Sequence, residues 1–178
     1  SLNAAYTLKE QYIRVLQIPL QHHYAQNNII PIAYTDETYP KKLLQLVDPP
    51  TMLYAKGNVE LLLNPKKIAV IGSRKATSYS NEVLQYILPP LLENDYVIVS
   101  GLAKGADSFA HQMTMAYSGQ TIAILGHGFF HIYPKENKQL AEQMAKFQLL
   151  LTEYPPYIGV KKWHFPMRNR IISGISDA

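Results

Sequence analysis

The chain has 178 residues, a formal charge of +4 and no cysteine, a size that supports one substantial hydrophobic core. Without cysteine there is no disulfide framework, thiolate nucleophile or zinc–thiolate site, which agrees with a cytoplasmic protein. No apolar run approaches the roughly 20 residues of a spanning helix and no signal-peptide core opens the chain, so no membrane partner is expected; the mild basicity permits a nucleic acid partner without requiring one.

In chain order, apolar Leu8, Tyr12, Val15 and Leu16 predict a helix over residues 8–18. Residues 29–34 and 52–55 read as short strands, separated by turn-forming sequence that includes Pro49-Pro50, with Gly57-Asn58 closing the second. The organisation changes near residue 64. Residues 1–63 are expected to form an N-terminal extension packing on a core formed by residues 64–178, and in that core strands at 68–71, 97–100, 121–125 and 149–152 alternate with helices near 78–94, 106–118 and 137–146. Such alternation implies right-handed crossovers and an extended, Rossmann-like α/β fold, mainly a parallel sheet with helices on both faces. The run at 68–71 is apolar enough for a strand buried on both faces. Pro89-Pro90 should kink or restart the first crossover helix. The ending SGISDA stops where such a sheet would deliver another strand, so the last C-terminal elements are expected to be missing.

Ligands of open parallel sheets gather at the carboxyl ends of the strands. The loops there are Gly72-Ser73-Arg74, the stretch from Ser100 and Gly101 through Lys104 and Gly105 to Asp107, and Gly126-His127-Gly128 running to Lys135 and Asn137. After the fourth strand comes a basic segment, with Pro166 placed to open a helix that carries Arg168, Asn169 and Arg170. Arg74, Lys104, Lys135, Arg168 and Arg170 are expected to converge on one rim, which would prefer an extended polyanion to a single small anion. Arginine forks match phosphate oxygens, and the N–H groups of Gly72 and Gly101 would add donors. Exposed aromatics among Phe130, Tyr133, Trp163 and Phe165 would stack on bases, with Phe165 read first as a packing residue. Lys161-Lys162 alone reads as solvated surface.

Catalysis has weaker support. Asp107 sits just inside a helix N-terminus, where the dipole favours a structural carboxylate, and His111 one turn later suits a packing contact. Ser73 has no histidine partner and no G-x-S-x-G elbow occurs. His127 and His131 lack the glutamate of a zinc-binding helix. No catalytic residue, metal or cofactor is expected.

The blocks IAVIGSRKATSYS (68–80), VSGLAKGADSFAH (99–111), TIAILGHGFFHIYPKEN (121–137), LLTEYPPY (150–157) and FPMRNRIISGIS (165–176), with YPKKLLQLVDPPTMLYAKGN (39–58) before them, resemble the DNA-processing protein A family, also called DprA or Smf. The resemblance implies a Rossmann-like protein of natural transformation that binds and protects single-stranded DNA, forms a homodimer and helps load the RecA recombinase. By position it assigns DNA contact to Gly72, Ser73, Arg74, Ser100, Gly101, Lys104, Gly105, Lys135, Asn137, Arg168, Asn169 and Arg170. Ala106 stands where the family commonly has isoleucine, and Phe129-Phe130 where it commonly has Leu-Asp. The family's N-terminal helical and C-terminal winged-helix modules have no recognisable counterpart in this sequence. The alternative is a nucleotide-handling enzyme of the phosphoribohydrolase type on a related fold, although its P-G-G-x-G-T-x-x-E loop is absent; a third reading is a protein-interaction scaffold without either activity.

Overall fold

A computed structural model describes residues 6, 7, 9, 10, 13, 19–75 and 77–178, arranged as two compact units, Ser1–Ile30 and Pro31–Ala178. The helix expected over 8–18 lies outside the described residues except at 9, 10 and 13, which are helical. In the first unit, helix α1 (Leu20–Gln26) ends where the Asn27 side chain donates to the carbonyl of His23.

The second unit is an α/β sheet of six strands in the order β1 (Ile30–Ala33), β2 (Met52–Gly57), β6 (Leu149–Thr152), β5 (Thr121–Leu125), β4 (Val97–Ser100) and β3 (Lys67–Ala69). Strands β3 to β6 are parallel, and β2 runs antiparallel to β6 with Tyr54 opposite Thr152. The chain from Pro31 to residue 63 thus supplies part of the same sheet. Strands β4, β5 and β6 are buried at every position, as continuous apolar runs in the middle of a parallel sheet should be.

Alternating side chains sort the core into two layers. Val97, Val99, Ile122, Ile124, Leu149 and Leu151 pack on one face with Ile171, Ile172 and Ile175 of helix α5 (His164–Ile175) and with Leu43. On the other face, Ile98 meets Leu84 and Leu88 of α2 (Ser78–Glu93) and Ala110 and Met113 of α3 (Ala106–Ala116). Helix α4 (Lys138–Phe147) links β5 to β6.

Three expectations need correction. Strand β3 is an edge strand rather than a doubly buried one: Ile68 and Ala69 are half-buried and Ile71 is largely exposed. Its outer side is bonded by the chain end, where Asp177 N donates to Lys67 O and Ala69 N to Ala178 O. Of the kink or restart expected at Pro89-Pro90, the restart does not occur, since helix α2 runs unbroken through both residues. The carbonyls of Gln85 and Tyr86, which lose their N–H partners, lie on an exposed stretch where water can satisfy them. Helix α5 starts at His164, so Pro166 is its third residue, still within the first turn, where its missing N–H costs nothing.

His111 is the packing residue it was expected to be, buried on α3. The Thr121 hydroxyl donates its proton to Ile98 O, so the contact between His111 Nδ1 and Thr121 Oγ1 (2.7 Å) must be an N–H donation from the imidazole. Nε2 has no partner, and burial pushes the pKa down to about 3. The unfolded chain therefore binds a proton here that the native state refuses, and stability is lost as pH falls below the ordinary histidine range. Urea midpoints measured between pH 6 and 5 should show a slope that His111→Leu reduces by roughly 1 kcal/mol per pH unit; an unchanged slope would place the titration elsewhere.

Candidate nucleic-acid interface

The loops at the carboxyl ends of β3, β4 and β5 are fastened to one another by the residues that the sequence singled out. Gly72 lies so close to α3 that a Cβ would stand 2.6 Å from the Ala106 methyl. Gly105 takes φ +80°, and a Cβ there would collide with Ser73 O. Ala106 N donates to that carbonyl at 3.1 Å, which locks the Gly72-Ser73-Arg74 turn on the start of α3. Ser100 Oγ donates to Val70 O at 2.5 Å, joining β4 to the residue after β3. Asn137 Nδ2 donates to Leu102 O (2.9 Å) and Ala103 O (3.3 Å), tying the third loop to the second. Ser100, Gly105 and Asn137 are thus braces within the loops.

Beneath them lies a buried pair of opposite charges. Arg168, only 4% exposed, donates from Nη1 to the carbonyls of Gly101 and Ile124 and from Nε to Asn169 Oδ1. Its guanidinium occupies the space a side chain at 101 would need, because a Cβ on Gly101 would overlap Nη2. Burial lowers the Arg168 pKa to about 10, with the charge of Asp107 opposing the shift. Asp107 is buried too, and burial raises its pKa while Arg168 and backbone donors resist. Asp107 Oδ2 accepts from Gly101 N (3.2 Å) and Ala103 N (3.4 Å), and the Gly72 backbone also bonds to this carboxylate. The N–H groups expected to greet a phosphate at Gly72 and Gly101 already hold an internal anion.

What remains open is a rim of side chains. Arg74 is exposed, with its guanidinium 5.8 Å from the Phe165 ring centroid, and Tyr133 tilts against the same ring at 5.4 Å. These three, with Gly101, Ala103, Lys104 and Pro134, line one pocket. An adjoining groove is lined by Ile71, Gly72, Arg74, Ala103, Asp107, Phe165, Pro166, Arg168 and Asn169. Phe165 is therefore half-buried at the junction of pocket and groove rather than sealed in the core.

The five cations do not all meet. Arg74, Lys104 and the edge of Arg168 line the pocket and groove. Lys135 is exposed but lines neither. Arg170 lies two residues from Arg168, about 200° around the helix, and pairs instead with Glu153 and, at 3.9 Å, with Asp48. Lys104 is paired with Glu136 at 2.5 Å on the surface, a partner not expected from the sequence although Glu136 directly follows Lys135 in the third loop. Ser73 caps its own turn, its Oγ accepting from Lys75 N. His127 is buried against the carbonyls of Gly128 and Tyr133, and His131 bonds to Tyr157 O.

The sequence model of the family described as DNA recombination-mediator protein A matches residues 31–178. The DNA processing protein DprA of Bacillus subtilis is 44% identical over 154 residues, covering 86% of this chain and 52% of that protein. Protein Smf of Escherichia coli is 35% identical over 141 residues, covering 79% of this chain and 37% of that protein. The X-ray structure of DNA processing protein A from Streptococcus pneumoniae superposes with a TM-score of 0.80 at 39% identity, over 93% of this chain and 58% of that one. The Helicobacter pylori DNA processing protein A, a structure concerned with its unique single-stranded DNA binding mode, gives 0.76 at 33% identity, over 84% and 66%. The chain spans about half the length of the Bacillus relative.

The division between buried and exposed cations has a direct test in urea unfolding. Arg168→Leu leaves Asp107 without its counter-charge and two carbonyls unpaired, and should cost about 3–5 kcal/mol. Arg74→Ala, at an exposed site, should change stability by less than about 0.5 kcal/mol.

Proposed function

The chain belongs to the DNA recombination-mediator protein A family, and from that membership we propose that it binds single-stranded DNA at the rim carrying Arg74. One observation carries the reading: an exposed guanidinium and an exposed ammonium, Arg74 and Lys104, flank an open pocket floored by Tyr133 and Phe165. Cations beside a π-surface suit a nucleotide in which phosphate and base are both accessible, and an unpaired base offers its face as a paired one does not. Duplex DNA hides that face.

In this proposal Arg74 and Lys104 hold phosphates, Lys135 extends the basic rim, and Asn169 and the Ser73 turn supply polar contacts. Gly72, Gly101, Gly105, Ser100, Asn137 and Arg168 act by setting the shape of the site. Residues 64–178 carry the DNA-binding rim, and residues 31–63 extend the same domain by adding strands to its sheet. The work is cytoplasmic protection of incoming single strands during DNA processing and transformation, with RecA recombinase as the partner that receives them and a homodimer as the working state. The protein acts by binding, without turnover. Asp107, the carboxylate nearest the groove, is committed to backbone N–H groups, which speaks against the phosphoribohydrolase alternative.

Glu136 competes with phosphate for Lys104, so its removal should strengthen binding. Anisotropy of labelled oligo(dT) across a salt series should give log affinity falling by about 0.7 per neutralised phosphate for each tenfold rise in salt. Arg74→Ala should weaken binding and reduce that slope by about 0.7. Glu136→Gln should tighten binding by about two- to fivefold, in line with the modest worth of an exposed ion pair. A slope that Arg74→Ala leaves unchanged would sink the proposal.

A further inference from the structure

We propose that Trp163 is a second base-stacking position, next to the Arg74–Phe165 pocket, with Lys161 and Lys162 as its phosphate partners; this rests on the single-stranded DNA reading above. Trp163 is the only tryptophan of the chain and is 58% exposed, although indole side chains are on average highly buried. It is held in place from beneath. Its ring meets the edge of the His164 ring at 4.2 Å and 79°. His164 is itself buried, stacked on Tyr154 at 4.0 Å and bonded through Nδ1 to Gly126 O. An indole resting on a fixed imidazole loses little freedom when a base settles on it.

The surrounding charge points to the same ligand. Lys161 Nζ stands over the indole, 5.5 Å from its centroid. Lys161 and Lys162 are exposed and make no ion pair among the described residues, whereas Lys42, Lys104 and Lys138 each face a carboxylate. Residues 154–176 contain no Asp or Glu at all, so nothing in this segment competes with a phosphate for these two lysines. An arriving base displaces the Lys161 ammonium from the indole face, and the ammonium turns to the adjoining phosphate. Trp163 and Phe165 stand two residues apart where α5 begins, about 200° around the helix axis, so a strand leaving the pocket reaches the indole by passing over the start of the helix.

The single tryptophan is also its own reporter. The chain is titrated with (dT)12 and (dT)3, following indole emission and the anisotropy of the labelled oligonucleotide in parallel. The expected result is emission quenching by (dT)12 that tracks the anisotropy. Trp163→Leu should lose about tenfold in affinity for (dT)12 and less than about twofold for (dT)3, a stacking loss of ordinary size. The Lys161→Ala, Lys162→Ala double variant should lower the salt slope by about 1.4, two phosphates' worth. Binding by anisotropy with unchanged emission, and a Trp163→Leu variant that binds (dT)12 as the wild type does, would overturn the second position and leave the Arg74 site standing. No binding of either oligonucleotide by the wild type would overturn both.

Discussion

The arrangement of the site depends on one buried guanidinium. Arg168 reaches from α5 under the loop after β4 to the carbonyls of Gly101 and Ile124, and it fits only because residue 101 has no side chain. An arginine in that position needs a counter-charge, and Asp107 provides it from the start of α3. Asp107 in turn collects N–H groups from the loops after β3 and β4. Charge burial on this scale is unfavourable unless each member is paired and hydrogen-bonded, so the pair sets a demanding geometry, and the loops around it have little freedom to depart from that geometry.

Function is left to the side chains that this framework does not consume. Of the basic residues around the site, Arg168 is absorbed by the framework and Arg170 by Glu153 and Asp48, while Lys104 shares its charge with Glu136. Arg74 keeps its charge available, over an aromatic ring and at the lining of an open pocket. A site of this kind, with fixed loops and a few accessible cations beside aromatic faces, loses little conformational entropy on binding. In the proposed role such a site would read backbone charge and base planes rather than base identity.

Much of this was legible in the sequence. Strands β4, β5 and β6 were readable to the residue, because uninterrupted apolar runs between turn-forming residues can be placed in few ways in a parallel sheet. The position of the glycines and Arg74 at the carboxyl ends of the strands was readable because their loops follow directly on apolar runs. The division of labour among cations was not. Arg168 and Arg170 look alike in the motif, and only their separation of two residues on a helix places them on different faces. Identifying which one is buried requires knowing that Gly101 and Ile124 lie beneath one of those faces. In the same way, Gly72 and Gly101 signalled an anion-binding turn, but the anion is the chain's own Asp107, which the start of α3 after Gly105 carries back to the N–H of Gly101.

In the proposed binding mode the framework is complete without ligand and a nucleotide adds to it at Arg74. A crystal structure of the chain with a short oligothymidylate tests this most directly. The expected result is a phosphate within hydrogen-bonding distance of Arg74, a base against Tyr133 or Phe165, and Asp107 still bonded to the N–H groups of Gly101 and Ala103. A phosphate seated on those N–H groups with Asp107 displaced, or DNA bound away from this rim, would contradict it.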